Sequence, residues 1–146
     1  MRKARLALGL LAITVSFAAL AADGRWTRGF GQGNLEYFME AKGMRLYIGC
    51  PTQDGSADAF ANVSLYVAET QKEVPAFTVK VNGNTYRGPF EAGSRVDSDN
   101  FRSLLEDLRS ADAVVRFGKK SITFPKANAD KVIPAAGTVL PCNVLF

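Results

Sequence analysis

LEYFMEAKGMRLYIGC, residues 35–50, alternates in polarity on both sides of Lys42-Gly43, and the way it pairs with itself decides the fold. A strand repeats its side-chain direction every second residue, so a two-residue turn at Lys42-Gly43 fixes which residues meet across a hairpin. Met39 then faces Leu46 and Tyr37 faces Ile48 on one side. Glu40 faces Arg45 and Phe38 faces Tyr47 on the other. The first face is suited to a core. The second joins an opposite-charge pair and an aromatic pair, and both kinds of cross-strand pair stabilise a hairpin. Cys50 falls on the inward face.

The same alternation continues downstream. Residues 62–68 place Val63, Leu65 and Val67 inward and Ser64 and Tyr66 outward, which predicts a half-buried strand. The polar segment 70–75 ends it. Residues 77–81 and 84–87 flank Asn82-Gly83, two residues that tolerate the positive φ of a tight hairpin turn, and Val79 falls opposite Tyr86. A third hairpin, 113–117 with 120–124, turns at Gly118-Lys119 and sets Val115 opposite Ile122. Residues 88–98 read as a connecting loop. Asp97, Ser98 and Asp99 supply capping and first-turn acidic groups for a helix over 99–109. Phe101, Leu104, Leu105 and Leu108 form its apolar stripe, with Arg102, Glu106, Asp107 and Arg109 on the other side. Residues 127–133 read as a short helix stopped by Pro134, and the tail 138–146 is apolar around Cys142. The expected fold is α+β: one globular domain over 35–146, about seven strands in a small, mostly antiparallel sheet or sandwich-like arrangement, one packed amphipathic helix and one disulfide.

The N-terminal end obeys different rules. Arg2, Lys3 and Arg5 precede an apolar run from Leu6 to Leu20, and Ala19-Leu20-Ala21 offers the small-x-small pattern of a cleavage site. This predicts a Sec-type signal peptide over 1–21, cleaved near Ala21, and a periplasmic or secreted protein. The run is shorter than the ~20 residues that span a bilayer, and no other segment is long and apolar enough, so no stable membrane insertion is expected after cleavage. Residues 22–34 contain Gly24, Gly29, Gly31 and Gly33 without periodicity, and read as an irregular Gly-rich arm. Losing the three leader cations takes the 18 Lys and Arg to 15, against 14 Asp and Glu. So nearly neutral a chain has no general electrostatic reason to bind nucleic acid. In an oxidising compartment Cys50 and Cys142 are expected to pair, because no C-x-x-C redox motif is present.

Several chemistries are excluded. The chain has no histidine, which removes Ser-His-Asp and Cys-His constellations, the common zinc sites and the usual acid–base group near neutral pH. There is no P-loop, and Gly31-Gln32-Gly33 follows no predicted strand, so it is no dinucleotide signature. No catalytic residue, metal or cofactor is assigned. Glu36 and Glu40 share a strand face and are the remaining hydrolytic route, but Arg45 faces Glu40 and Glu36 lies on a solvated face. Asp97-Ser98-Asp99-Asn100 resembles the start of a calcium loop, yet Phe101 and Arg102 depart from the pattern. Asp54 and Asp58 around Gly55 read as a surface turn. Arg116, Lys119, Lys120 and Lys126 gather at the last hairpin, as a solvated end or as a patch for an acidic partner.

Phe38, Tyr47 and Tyr66 point away from the aliphatic face, while Trp26 and Arg28 lie in the arm. Aromatic residues with Arg are favoured at protein interfaces. Two readings stay open: the helix covers this face as a second core layer, or these five residues form an exposed recognition surface. In architecture alone, with a leader, a short β-rich domain and few cysteines, the chain resembles exported lysozyme inhibitors and immunity proteins, and no motif carries residue roles across. The expectation is an exported, non-enzymatic binding protein that recognises another protein, in the cell envelope or foreign, by surface occlusion. The alternatives are a binder of a small apolar ligand or envelope component between sheet and helix, and a carboxylate-based hydrolase.

Overall fold

The computed structural model describes residues 23–31, 33–51, 59–135 and 142. In chain order its elements are β1 (Thr27–Gly31), β2 (Asn34–Ala41), β3 (Met44–Pro51), β4 (Asn62–Val67), β5 (Phe77–Val81), β6 (Asn84–Gly88), β7 (Phe90–Glu91), α1 (Arg95–Ser110), β8 (Ala113–Phe117), β9 (Lys120–Phe124) and α2 (Ala129–Val132). The leader over 1–21, the Asp54 and Asp58 turn and the tail other than Cys142 lie outside the described residues.

The decisive hairpin forms in the register that its alternation dictates. Tyr37 pairs with Ile48, Phe38 with Tyr47, Met39 with Leu46 and Glu40 with Arg45. Lys42 at φ 48° and Gly43 at φ 77° take the left-handed backbone that a tight hairpin requires. The other two hairpins also keep register, with Val79 opposite Tyr86 and Val115 opposite Ile122. Two antiparallel sheets result. The first has the order β1-β2-β3-β4-β7 and the second β6-β5-β8-β9.

Two strands were not expected. β1 runs through the segment read as an irregular arm and pairs along β2 from Thr27 with Phe38 to Gly31 with Asn34. Its partner supplies the order that its own Gly-rich sequence does not encode. A Cβ at Gly29 would make ordinary contact with the Glu36 carboxylate at 3.5 Å and the Phe38 ring at 3.7 Å, so β2's outward side chains lie beside the edge strand. β7, two residues long, lies in the segment read as a loop and closes the other edge through Asn62 with Glu91 and Val63 with Phe90.

The helix also starts earlier than expected. Ser94 is the N-cap, its Oγ accepting from the Asp97 N–H at 3.1 Å, while its hydroxyl donates to the Asp97 carboxylate. Ser98, expected as part of the cap, is instead fully buried and donates to the Ala92 carbonyl. The expected stripe is correct: Phe101, Leu104, Leu105 and Leu108 are all buried. They join Met39, Leu46, Ile48, Val63 and Leu65 from the first sheet and Phe77, Val79, Val115 and Phe124 from the second in one hydrophobic core. Each such side chain contributes about 1.5–3 kcal/mol by leaving water.

Polar ties hold this core in register. Asp107, placed by periodicity on the polar side of α1, is 8% exposed. It accepts from Asn82 at 3.1 Å, Asn84 at 2.8 Å and the Tyr86 hydroxyl at 2.5 Å, which fixes the helix to the Asn-Gly hairpin. At the end of α1, Arg109 donates to the carbonyls of Asp130 and Ile133, around α2. Cys50 and Cys142 are joined, with their sulfurs 2.08 Å apart. Among the described residues, no helix is long and apolar enough to cross a membrane.

Candidate functional site

Alternation along β2, β3 and β4 sends every second side chain out of the first sheet, and the register carries these side chains into one patch. Phe38 faces Tyr47, Tyr47 faces Ser64, and Arg45 lies between Glu40 and Tyr66. Phe38, Tyr47 and Tyr66 are half-buried rather than covered. Their surroundings fix them. Arg45 holds Glu40 through two of its nitrogens, Nε at 2.9 Å, and reaches Gln71 at 3.3 Å. The same guanidinium sits 4.8 Å from the centre of the Phe38 ring, a cation–π contact. Tyr47 and Tyr66 meet edge to face at 5.8 Å, and the Tyr47 hydroxyl donates to Glu36 at 2.9 Å. Burial, and then the hydrogen bond to Glu36, raise the pKa of Tyr47, so its phenol stays protonated and remains a donor.

Backbone space is part of this arrangement. Gly49 follows Tyr47 by two residues on the same face, and a Cβ there would come within 2.8 Å of the Asn62 amide and 2.9 Å of the Tyr47 ring. Glycine at this point lets both side chains cross the strand. The result is an open groove of about 450 Å³ lined by Glu36, Phe38, Arg45, Tyr47, Tyr66 and Gln71. A second groove of about 620 Å³ shares Asn62 and Tyr66 and continues past Ser64 and Glu73 to Pro89, Phe90 and Glu91. No residue of α1 lines either groove, so the helix is not the cover of this face.

Of the five residues read as a recognition surface, the structure brings three together. Trp26 is not among them. At 3% exposure it belongs to the core, and its backbone is clamped by Asn128, which accepts from the Trp26 N–H at 2.8 Å and donates to its carbonyl at 3.0 Å. An indole gains more from full burial than from a place in a mobile arm, and the irregular arm on which that reading rested is the strand β1. Arg28 pairs with Tyr37 on the inward row, so it lies at the exposed edge of the opposite face.

Sequence reasoning missed Asn62, Gln71, Glu73 and Glu91. Glu73 reaches the patch because segment 70–75 folds back, bridging to Tyr66 and accepting from Ser64 at 3.0 Å. That Arg45 meets Tyr66 was not legible, because the long connection between β3 and β4 fixes no register. Chemically, the patch offers aromatic faces, phenol and amide donors, and carboxylates. Among the described residues, no three His, Cys, Asp or Glu side chains gather as a metal would need. Glu36 and Glu40 are held by Tyr47 and Arg45 rather than facing each other across a cleft.

The fold and patch together define a two-sheet α+β domain that presents a carboxylate-rimmed aromatic sheet face. The chain belongs to the YfjT family, whose model matches residues 24–133. It is 29% identical over 130 residues to uncharacterized protein YfjT of Escherichia coli (strain K12), covering 82% of this chain and 84% of that protein. It is 30% identical over 137 residues to uncharacterized protein YkfB of the same organism, covering 86% of this chain and 88% of the relative. No solved structure matches the chain.

Proposed function

We propose that this chain is an exported, non-enzymatic binding protein that recognises a protein partner with the outer face of its first sheet, in the manner of an inhibitor or immunity factor. The observation that carries this reading is the clustering of Phe38, Tyr47 and Tyr66 on a face that the helix leaves open. Arg45 and Glu36 hold the rings in place, so little side-chain freedom remains to be lost on binding. Half-buried aromatics with a neighbouring Arg are the residue types that carry most interface energy. The signal peptide expected over 1–21 supports export, and the disulfide fits an oxidising compartment.

The test is capture of a partner by the mature chain, residues 22–146 with its disulfide formed, from envelope extract, alongside a Phe38→Ser/Tyr66→Ser variant. The reading predicts one stoichiometric protein held by the wild type and lost by the variant, while melting curves show the variant still folded. Equal capture by both chains contradicts it.

A further inference from the structure

The outer face of the second sheet has the opposite character. Strand pairing lines up Arg87, Thr78, Arg116 and Ser121 in one row across β6, β5, β8 and β9. Thr85, Lys80, Val114 and Thr123 form the next row. These residues alternate with the buried Val79, Val81, Ala113 and Val115, so both rows face away from the core. Lys80, Arg87 and Arg116 are exposed. The rows hold no carboxylate, and among the described residues none of these three cations has an ion-pair partner. Lys119 extends the charge at the adjoining hairpin turn.

A groove of about 470 Å³ opens at the arginine row, with Phe77, Gly88 and Phe117 among its lining residues and Thr78, Arg87 and Arg116 beside them. A Cβ on Gly88 would stand 2.2 Å from the Phe77 ring, so glycine is what lets that ring lie beneath the strand. The two arginines stand on strands two apart, ~10 Å at the backbone, with the Thr78 hydroxyl between them. Guanidinium forks on either side of a hydroxyl fit a phosphate.

We propose that this face docks on an anionic lipid surface, with Arg87, Thr78 and Arg116 taking a headgroup phosphate and Lys80 and Lys119 lying over its neighbours. The cations are spread across a broad sheet rather than gathered around a pocket for one acidic side chain. No ring stands exposed on the two rows for a nucleic-acid base to stack on. The first sheet's outer face adds a second reason. It carries Glu36, Glu73 and Glu91 beyond the Glu40–Arg45 pair. The two inner faces share one core, so the two outer faces are separate surfaces of the molecule. An anionic surface attracts one and repels the other, which orients the molecule with its aromatic face away from the lipid. Without the three cations of the expected leader, 15 Lys and Arg stand against 14 Asp and Glu, a near balance that conceals this segregation.

Cosedimentation with vesicles tests the proposal, using protein purified in the form to which the cell processes it. Vesicles of about 30 mol% phosphatidylglycerol in phosphatidylcholine are compared with phosphatidylcholine alone at low salt. Binding is expected to the anionic vesicles only, weakened at least about tenfold by Arg87→Ser/Arg116→Ser and by added salt. Phe38→Ala binds like the wild type. If melting curves show that the double variant is unfolded, Lys80→Ser/Lys119→Ser reads the same face and is expected to weaken binding. Binding that survives the substitutions in a folded variant overturns the proposal, as does a failure to bind anionic vesicles. Arginine-dependent binding of inorganic phosphate or polyglutamate without vesicle binding also overturns it, in favour of a soluble phosphate or an acidic protein.

Discussion

Asp107 carries a carboxylate into the interior, and its three donors make it a pH-sensitive tie. Burial works to raise its pKa, but the hydrogen bonds from Tyr86, Asn84 and Asn82 together outweigh burial and hold it below the ordinary 3.8. The folded chain therefore binds this proton less tightly than the unfolded chain. The stabilisation is complete above the unfolded pKa and is lost as pH falls through the lowered folded value. Urea denaturation of the wild type should show stability falling as pH drops below about 4, and Asp107→Asn should flatten that acid-side slope. Asp107→Ala should cost about 3 kcal/mol near neutral pH, because a buried phenol and two amides lose their acceptor. Gly88→Ala is the second residue-scale case. The new methyl would meet the buried Phe77 ring, and overpacking of this kind should lower stability by about 2 kcal/mol in the same assay. Neither role was legible in the sequence. Asp107 lies 25 positions from Asn82, and periodicity on a helix says nothing about a polar partner brought from another element. Phe38, Tyr47 and Glu40 were legible, because their partners lie across a turn whose length fixes the register.

The N-terminal strand depends on one side chain at the scale of elements. Asn128 holds the Trp26 backbone from 102 positions away, and β1 lies at the edge of its sheet, paired on one side only. Asn128→Ala should cost about 1–2 kcal/mol through the two lost hydrogen bonds. It should also speed trypsin cleavage at Arg25 and Arg28 relative to the rest of the domain, which limited proteolysis measures directly. The three hairpins and the stripe of α1 could be read from the chain because period-2 and period-3.6 patterns are local. β1 and β7 could not. Their sequences have no strong alternation, and they become strands only because β2 and β4 offer unpaired edges. The early start of α1 was in principle readable, since Ser94 and Asp97 have capping-box spacing, but Asp97-Ser98-Asp99 presents a competing signal that only burial of Ser98 resolves.

At the scale of the whole molecule, two sheets and a helix share one core, and the Cys50–Cys142 bond spans 92 positions. Replacing both cysteines by Ala should lower stability by about 2–5 kcal/mol, as a denaturation midpoint shows, with more of the effect expressed through the unfolded state than through the fold. The overall class and the outward direction of Phe38, Tyr47 and Tyr66 were legible in the sequence. The burial of Trp26, the separation of Arg28 from the patch and the opposite charge of the two outer faces required the sheets to be assembled. The proposed seat of a protein partner is the aromatic face. A photo-activated cross-linking residue placed at Tyr66, and separately at Lys80 on the outer face of the second sheet, tests this in the producing cell. A discrete protein adduct is expected from position 66 and none from position 80. Protein adducts from position 80 alone, or equal adducts from both, would contradict it.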